Sequence, residues 1–579
     1  MILNSLHKIF QKILILSFLF LSTLAIADKK PPIIDYKSIS HPVIGSKGMV
    51  VSQREIASRV GADILSKGGN AVDAAVATSF ALAVVLPRAG NLGGGGFMLI
   101  HLEQEGKTVA IDYRERAPLS ASRDMFLDSN GNYDKTKARF SLLSAGVPGT
   151  VAGMKFALDN YGSMSWEEVI QPAIDLAEGF VVPHDLSSVT NSYKARLQRN
   201  SATKKAYYKK SGDAYLPGEI MRLPDLAWSL KKIRDEGPSA FYKGDIARKI
   251  VDEMNRNGGI ISMQDLSSYE VSLRNPVIGS FNDYKIVSMP PSSSGGIHII
   301  QMLNMLENTS IKEMGFGSAD SIHLLSEVMK RAYADRSKYL GDNDFVDVPI
   351  EGLTNKKYAK NLLAEISQDK VTPSQEILPG NPIPFESPDT THFSVMDSNG
   401  NTVSNTYTLN FSFGSGITIP GTGILMNNEM DDFSSKPGVP NAYGLIGAEA
   451  NAIEPSKRPL SSMTPTIILK NNEPYMVLGS PGGSRIISTV LQVIINVLVH
   501  DMNIAEAVNS PRIHHQWLPD VLFMEKGYSP DTLKILEQKG HAIRSSGTMG
   551  SVHAIIKDED YYYGTADTRR PNSGAIPVD

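Results

Sequence analysis

Cysteine is absent from the 579 residues of the sequence. Its absence excludes disulfides, thiolate metal sites and a cysteine nucleophile, so covalent catalysis would have to use serine, threonine, lysine or a carboxylate. An excess of positive charge is also absent, because 57 lysines and arginines are balanced by 61 aspartates and glutamates. A nucleic-acid-binding protein would carry a basic surface, and this composition gives no support for one. With 41% hydrophobic and 20% charged residues, the chain has the composition of a globular protein.

Familiar catalytic motifs are missing as well. No serine lies in a G-x-S-x-G motif and there is no His-Glu-x-x-His, which excludes the common esterase and zinc-protease templates. The glycine-rich residues 90–96 follow a helical pattern and lead into the apolar run 97–100, whereas a dinucleotide loop joins a strand to a helix. Close backbone packing is therefore favoured over phosphate binding. The adjacent His514 and His515 have no metal-ligand spacing around them, which favours a structural role.

The first 27 residues have the pattern of a secretory signal peptide. Two lysines precede an apolar stretch over residues 13–24, and Ala25 and Ala27 then satisfy the small-x-small rule for cleavage. The mature chain would begin at Asp28. The alternative is an uncleaved anchor helix, for which the apolar stretch is short compared with the ~20 residues that span a bilayer. The pattern predicts a signal peptide over 1–27 and a periplasmic or secreted protein without stable membrane association.

Hydrophobic periodicity predicts two helices within residues 54–86. Gly68 and Gly69 end the first helix, and Asn70 is placed to cap the second. The second helix is rich in alanine and valine on every side, so it should lie in the interior.

The middle of the chain is predicted to be mostly helical over residues 160–260. A turn-rich loop, 289–296, leads into a helix at 297–307, and a further amphipathic helix is predicted at 319–340. Residues 370–389 are rich in proline and have little periodicity, which predicts a linker or exposed loop.

Two strand-like runs, 390–397 and 401–410, form the pattern of a β-hairpin. A two-residue turn at Asn399-Gly400 competes with a three-residue loop that has Gly400 in the left-handed region. The longer loop pairs Val395 with Val403 and gathers the apolar residues on one face, so we favour it.

This register places Thr390 opposite Thr408, about 5 Å away, with Asn410 just beyond. Two hydroxyls and an amide thus meet where the proline-rich segment enters a strand. On this pattern alone, an ordinary threonine-rich hairpin explains the sequence equally well.

Eight segments spread along the chain form a further pattern. They are residues 68–75 (GGNAVDAA), 90–96 (GNLGGGG), 112–118 (DYRERAP), 148–153 (PGTVAG), 289–296 (MPPSSSGG), 427–433 (NNEMDDF), 457–463 (KRPLSSM) and 479–485 (GSPGGSR). In content and order they resemble the gamma-glutamyltranspeptidase family over essentially the whole mature chain.

The resemblance implies an α+β fold of the N-terminal-nucleophile hydrolase type, an αββα four-layer sandwich made by two chains after self-cleavage. The cut would fall between Asp389 and Thr390, giving a large subunit, 28–389, and a small subunit, 390–579, that stay associated. Some relatives have an uncharged residue before the cut, and Asp389 is expected to change at most the rate of processing. Thr390 would be the nucleophile, and its freed α-amine, with a reference pKa near 7.7–8.0, would act as general base.

The resemblance also implies roles for further residues. Thr408 would hold the nucleophile's hydroxyl, and the backbone N–H groups of Gly482 and Gly483 would bind the oxyanion. A strand threonine and a simple turn are the alternatives for these positions. The lid loop, 437–444, would close the site with Tyr443, unless it is a passive surface loop.

The γ-glutamyl group of a substrate carries a carboxylate and an ammonium. The resemblance implies that Arg114 binds the carboxylate with help from Ser461 and Ser462, and that Asn410, Glu429 and Asp432 bind the ammonium. Position 429 is glutamine in some relatives, so Glu429 is weak support for the function. The neighbouring Glu115 and Arg116 are expected to form local pairs instead.

The implied function is a γ-glutamyl acyltransferase and hydrolase. It would cleave glutathione, glutamine and related amides through a γ-glutamyl–threonine ester, and would pass the acyl group to water, amino acids or dipeptides. No metal or organic cofactor and no nucleic-acid partner is implied. The alternatives are a cephalosporin (glutaryl) acylase of the same family and a non-catalytic binding protein that has kept the fold.

Overall fold

The structure, a computed structural model, describes residues 38–379, 391–436 and 449–579. The predicted signal peptide, the predicted cleavage site Asp389–Thr390 and Tyr443 lie outside these residues. None of the helices in the described ranges is long and apolar enough to cross a membrane.

Helices and strands are interspersed along the described part of the chain. The strands are β1 Val43–Gly45, β2 Gly48–Ser52, β3 Gly95–Leu102, β4 Lys107–Asp112, β5 Phe180–Val181, β6 Ile220–Met221, β7 Ser272–Arg274, β8 Val277–Phe281, β9 Tyr284–Ser288, β10 Thr391–Met396, β11 Thr402–Thr408, β12 Thr466–Lys470, β13 Glu473–Gly479, β14 Ile513–His514, β15 Leu522–Met524, β16 Ile543–Ser545, β17 His553–Asp558, β18 Tyr561–Ala566 and β19 Gly574–Val578. The helices are α1 Glu55–Ser66, α2 Ala71–Val85, α3 Lys135–Phe140, α4 Thr150–Tyr161, α5 Trp166–Glu178, α6 His184–Ser192, α7 Lys194–Leu197, α8 Ser201–Tyr207, α9 Pro224–Glu236, α10 Ser239–Tyr242, α11 Asp245–Asn257, α12 Met263–Ser267, α13 Gly295–Leu306, α14 Ile311–Met314, α15 Ala319–Tyr339, α16 Ile350–Leu353, α17 Lys356–Ala364, α18 Arg485–Leu498, α19 Ile504–Asn509 and α20 Pro530–Gln538. Short 3₁₀ turns lie at Glu103–Glu105, Leu142–Ser144, Glu429–Asp432 and Glu449–Asn451.

The predicted helices are confirmed at most positions. Asn70 caps α2 as expected, because its side chain accepts hydrogen bonds from the N–H groups of Val72 and Asp73. Every residue of α2 is buried, as expected of a helix that is apolar on all sides. Helices α13 and α15 begin and end within two residues of the predicted bounds, and residues 160–260 are mostly helical.

Two seven-stranded sheets form the centre of the molecule. One has the order β1-β18-β17-β13-β12-β9-β8, and the other has the order β19-β2-β10-β11-β3-β4-β7. The predicted hairpin is β10–β11, and it lies in the middle of the second sheet between β2 and β3. Val395 pairs with Val403, and Gly400 has a φ of 85°, so the three-residue loop is confirmed.

The alternation of side chains along the strands explains the four layers. In the second sheet, Val50, Ile100 and Val403 pack into the core that also contains α1 and α2. Their neighbours Met49 and Leu99 point the other way, into the core shared with the first sheet and with α13, α15 and α18. Because each sheet buries both faces, the order of layers is helix, sheet, sheet, helix, which confirms the predicted αββα sandwich.

Candidate active site

The start of β10 is the point around which the predicted catalytic residues gather. Thr391 opens the strand opposite Tyr407; Thr390, one residue earlier, lies outside the described residues. The next residue on the partner strand, Thr408, is 2% exposed. Its hydroxyl accepts a hydrogen bond from the N–H of Asn410 at 2.8 Å, and its carbonyl accepts one from Asn91 at 2.8 Å. Thr408 is therefore held firmly at the end of the strand where Thr390 was predicted to face it.

Gly482 and Gly483 lie between the end of β13 and the start of α18. Their φ values are 135° and 64°, which are backbone conformations that residues other than glycine rarely adopt. Neither N–H donates a hydrogen bond to another of the described residues. Two unpaired N–H groups at the N-terminus of a 14-residue helix form a suitable site for a negative oxygen.

The glycine loop and the hairpin meet at the same end of the sandwich. A Cβ added to Gly479, the last residue of β13, would lie 2.5 Å from the ring of His392, the second residue of β10. The close approach of the two strands needs glycine here, and it brings residues 480–483 towards the start of β10.

Arg114 follows β4 and is 1% exposed. Its Nη2 donates to Asp432 at 2.5 Å, its Nη1 donates to Glu429, and its Nε donates to the carbonyl of Pro459 at 3.2 Å. Burial lowers the pKa of Arg114, but the neighbouring carboxylates outweigh burial, so the pKa is raised and the guanidinium stays charged.

Three carboxylates surround this one guanidinium. Besides Glu429 and Asp432, Glu115 lies 3.6 Å from Nη1 of Arg114. Burial raises the pKa of Glu429 to about 8 and that of Glu115 to about 7, although Arg114 opposes both shifts. Burial therefore favours the protonated forms of Glu429 and Glu115 near neutral pH, because four ionised groups with a net charge of −2 are costly in the interior.

The expected local pairing is confirmed for Glu115, which lies next to the guanidinium of Arg114, and is wrong for Arg116. Arg116 donates instead to the carbonyl of Glu270 at 2.9 Å, and its guanidinium lies 5.4 Å from the centre of the Tyr269 ring. Arg116 packs against Tyr269 and turns away from the site, whereas Glu115 stays within reach of Arg114.

The remaining predicted binding residues lie around the same cluster. Asn410 has a φ of 70° and donates through Nδ2 to the carbonyl of Asn428 at 3.0 Å. Its Oδ1 is buried and accepts no hydrogen bond from the part of the chain that the structure describes. An unpaired buried carbonyl oxygen is a suitable acceptor for an ammonium group, and the bond to Asn428 ties this side chain to the residue before Glu429.

Ser461 and Ser462 are both buried and follow the backbone carbonyls that Arg114 contacts, those of Pro459 and Leu460. The hydroxyl of Ser461 accepts from the N–H of Met463 at 3.1 Å, and that of Ser462 accepts from Nη2 of Arg336 at 3.3 Å. The structure thus places Arg114 against the segment that leads into both serines.

Sequence reasoning missed two residues of α15, Tyr333 and Arg336. Tyr333 donates a hydrogen bond from its hydroxyl to the carbonyl of Ser484, and Arg336 contacts Ser294 and Ser462. One signal in the sequence could have indicated them. The helix predicted at 319–340 has charged residues on all sides, so some of these side chains had to be buried. In the described parts of the chain, no three histidines, aspartates or glutamates are arranged to hold a metal ion.

The sequence model of the family described as Gamma-glutamyltranspeptidase matches residues 57–576. The chain belongs to the gamma-glutamyltranspeptidase family. The chain is 53% identical over 535 residues to the glutathione hydrolase proenzyme of Escherichia coli (strain K12), and the match covers 92% of each chain. The family resemblance seen in the sequence is therefore confirmed.

Solved structures of similar proteins confirm the fold. The crystal structure of cephalosporin acylase from Bacillus halodurans matches with a TM-score of 0.83 and 26% identity, over 95% of this chain and 99% of that chain. The crystal structure of Helicobacter pylori gamma-glutamyltranspeptidase matches with a TM-score of 0.56 and 45% identity, over 60% of this chain and 97% of that chain.

Proposed function

We propose that the protein is a self-processing γ-glutamyl acyltransferase and hydrolase that acts on glutathione, glutamine and related γ-glutamyl amides. The observation that carries this proposal is the buried cluster of one guanidinium and three carboxylates around Arg114. Such a cluster offers both charges that an amino-acid head group requires. The name of the E. coli relative, glutathione hydrolase proenzyme, supports the same substrate class.

Processing is proposed to begin with attack of the Thr390 hydroxyl on the carbonyl of Asp389. The acyl group moves from nitrogen to oxygen, and water then hydrolyses the ester, leaving a large subunit, 28–389, and a small subunit, 390–579. The word proenzyme in the relative's name supports this step, as does the solved H. pylori chain, which matches only 60% of this chain. A signal peptide over 1–27 would direct the precursor to the periplasm or the exterior.

The fold explains why the two pieces would stay together. Strands β10 and β11 lie between β2 and β3, so residues on either side of the cut share one sheet. The last described part of the large piece is also held by the small piece, because the N–H of Ser374 donates to Asp520 at 2.8 Å and the indole of Trp517 donates to the carbonyl of Ser374 at 2.8 Å.

Catalysis is proposed to occur in two steps on Thr390. Its α-amine takes the hydroxyl proton as the oxygen attacks the γ-carbonyl, while Thr408 donates a hydrogen bond to the nucleophile. The N–H groups of Gly482 and Gly483 stabilise the negative oxygen of the tetrahedral intermediate. The amine leaves with the proton and a γ-glutamyl ester remains. Water or an amine acceptor then attacks the ester and restores the Thr390 hydroxyl.

Substrate recognition is proposed to use the two poles of the charge cluster. The α-carboxylate binds Arg114, Ser461 and Ser462, and the α-ammonium binds Asp432, Glu429 and Asn410. In the structure Arg114 contacts two of these acids directly. A zwitterion can enter this ion pair because it presents a negative group to the guanidinium and a positive group to the acids. Tyr443 is proposed to close over the bound donor.

A glutaryl acylase remains the alternative within the family. A glutaryl group lacks the ammonium, so it would bring no donor to the buried Oδ1 of Asn410, which accepts no hydrogen bond from the described residues, and the loss of buried pairing disfavours it. Rates with γ-glutamyl and glutaryl anilides separate the two functions, and the γ-glutamyl donor is expected to be preferred.

Intact mass measurement under denaturing conditions, with N-terminal sequencing, tests the whole proposal. Two pieces that begin at Asp28 and Thr390, together with turnover of a γ-glutamyl anilide, are expected. A Thr390→Ala variant should remain a single chain without activity. A wild-type chain that is never cleaved and never turns over the donor would refute the proposal and favour a binding protein.

A further inference from the structure

Helix α15 carries two buried polar side chains, one turn apart, towards the candidate site. Tyr333 donates to the carbonyl of Ser484, directly after the glycine pair. Arg336 is 1% exposed; its Nε donates to the hydroxyl of Ser294 at 3.0 Å and its Nη2 donates to the hydroxyl of Ser462 at 3.3 Å. One face of the helix thus supports both the oxyanion loop and the serine pair.

The contact between Arg336 and Ser462 fixes the direction of a hydrogen. A guanidinium has only donors, so the Ser462 oxygen must accept in this hydrogen bond. The single hydrogen of the hydroxyl is then directed to another acceptor. The same argument applies to Ser461, because its hydroxyl oxygen accepts a hydrogen bond from the N–H of Met463. Two adjacent hydroxyls that are both set to donate match the two oxygens of a carboxylate.

Arg336 also supports Ser461 through the neighbouring loop. The N–H and the hydroxyl of Ser294 both donate to the carbonyl of Ser461, at 2.8 and 2.9 Å. The Nε of Arg336 holds the Ser294 hydroxyl from the other side. The guanidinium therefore joins the loop 289–296 to the segment that carries both serines, and it places a second positive charge behind them.

We propose that Arg336 is a positioning residue for the α-carboxylate of the donor, acting through Ser462 and Ser294. This inference rests on the proposed γ-glutamyl function and extends it to a residue that does not touch the reacting bond. Because the carboxylate is bound equally in the ground and transition states, loss of Arg336 should raise KM and leave kcat nearly unchanged. Arg336→Gln removes the charge behind the serines, and KM should rise by about tenfold to a hundredfold, as for a hydrogen bond that involves a charged group.

Three anilide donors isolate the group on which Arg336 acts. The γ-glutamyl donor has both charges, the glutaryl donor keeps only the carboxylate, and the 4-aminobutanoyl donor keeps only the ammonium. Arg336→Gln should weaken the first two donors and leave the third within about twofold of wild type. Arg336→Lys retains the positive charge and one nitrogen that can donate hydrogen bonds, so it should recover part of the loss.

A matched control is available on the same helix. Arg331 is buried to the same extent, but it contacts Glu327 and the carbonyl of Glu365. Arg331→Gln should lower stability and leave the ranking of the three donors as in wild type. Binding of L-glutamate and 4-aminobutanoate by calorimetry gives the same comparison without turnover, so a wild-type enzyme that fails to cleave γ-glutamyl amides refutes the proposed function separately.

The inference is supported if the loss in Arg336→Gln is confined to ligands with a carboxylate. An equal loss for all three donors, or no loss, would overturn it. If both Arg336 variants stay unprocessed while Arg331→Gln matures normally, Arg336 serves folding and the positioning role is rejected.

Discussion

Replacement of Arg114 by lysine tests the centre of the proposed recognition site. The guanidinium makes four directed contacts, to Glu429, to Asp432 and to the carbonyls of Pro459 and Leu460. A lysine keeps the positive charge but cannot span these partners and a substrate carboxylate in one planar arrangement. Loss of one charge-assisted hydrogen bond costs about 1.5–3 kcal/mol, so we expect KM for the γ-glutamyl donor to rise by about tenfold to 150-fold. Replacement by alanine should be worse, because removing one partner of a buried ion pair costs about 3–5 kcal/mol.

The assay combines three measurements on the same preparation. Gel electrophoresis reports processing, thermal unfolding reports stability, and initial rates report KM and kcat. Processing should be normal, because Arg114 acts on the head group of the substrate rather than on the bond that is cut. Arg116→Lys is the matched control, since Arg116 points to Tyr269 and the carbonyl of Glu270 and should leave KM unchanged. An Arg114→Lys enzyme whose KM stays within about twofold of wild type would refute the carboxylate role.

Other contacts around the site lead to three more predictions. Thr408→Ala leaves the N–H of Asn410 without its acceptor and should slow self-cleavage about tenfold, as for loss of one hydrogen bond; a normal time course on a gel would contradict this. Gly482→Ala introduces a side chain at a φ of 135° and 3.2 Å from the Cα of Gly550, and kcat should fall about a hundredfold; an unchanged kcat would exclude an oxyanion role for this loop. Burial raises the pKa of Glu429 from 4.5 to about 8. Between these two values the folded state keeps a proton that the unfolded state has lost, so the free energy of unfolding falls as the pH rises through this range. Glu429→Gln should therefore lose less stability than wild type as the pH rises from about 5.5 to about 8.5 in urea unfolding, and equal losses would show that Glu429 is not the group responsible.

Local features of the fold were predictable from the sequence. The hairpin register follows from alternation on either side of Gly400, and the cap of α2 needs only Asn70 and Asp73, which lie three residues apart. Both signals act over short distances, so a single sequence carries them. The family resemblance supplied the long-range part, the gathering of Arg114, Glu429 and Asp432.

Contacts between distant segments were not predictable in the same way. Arg336 and Ser462 are 126 residues apart and meet only because α15 packs beside the loop 289–296. The wrong expectation of a local partner for Arg116 has a related cause. Sequence proximity favoured a neighbouring partner, whereas Arg116 packs against Tyr269 and donates to the carbonyl of Glu270.

The charge cluster, rather than the nucleophile, determines which acyl group the site accepts. A threonine hydroxyl with its own amine as base and two backbone N–H groups can act on almost any amide carbonyl. A head group that lacks the ammonium brings no donor to Asn410 Oδ1, and one that lacks the carboxylate brings no anion to Arg114 beyond the acids that it already contacts. A buried site built to pair polar groups rejects an analogue without them far more strongly than an apolar pocket rejects a missing methylene. Burial already favours the protonated forms of Glu429 and Glu115 near neutral pH. An arriving ammonium favours their ionised forms instead. A ligand that carries both charges therefore offsets the cost of keeping four charged groups in the interior.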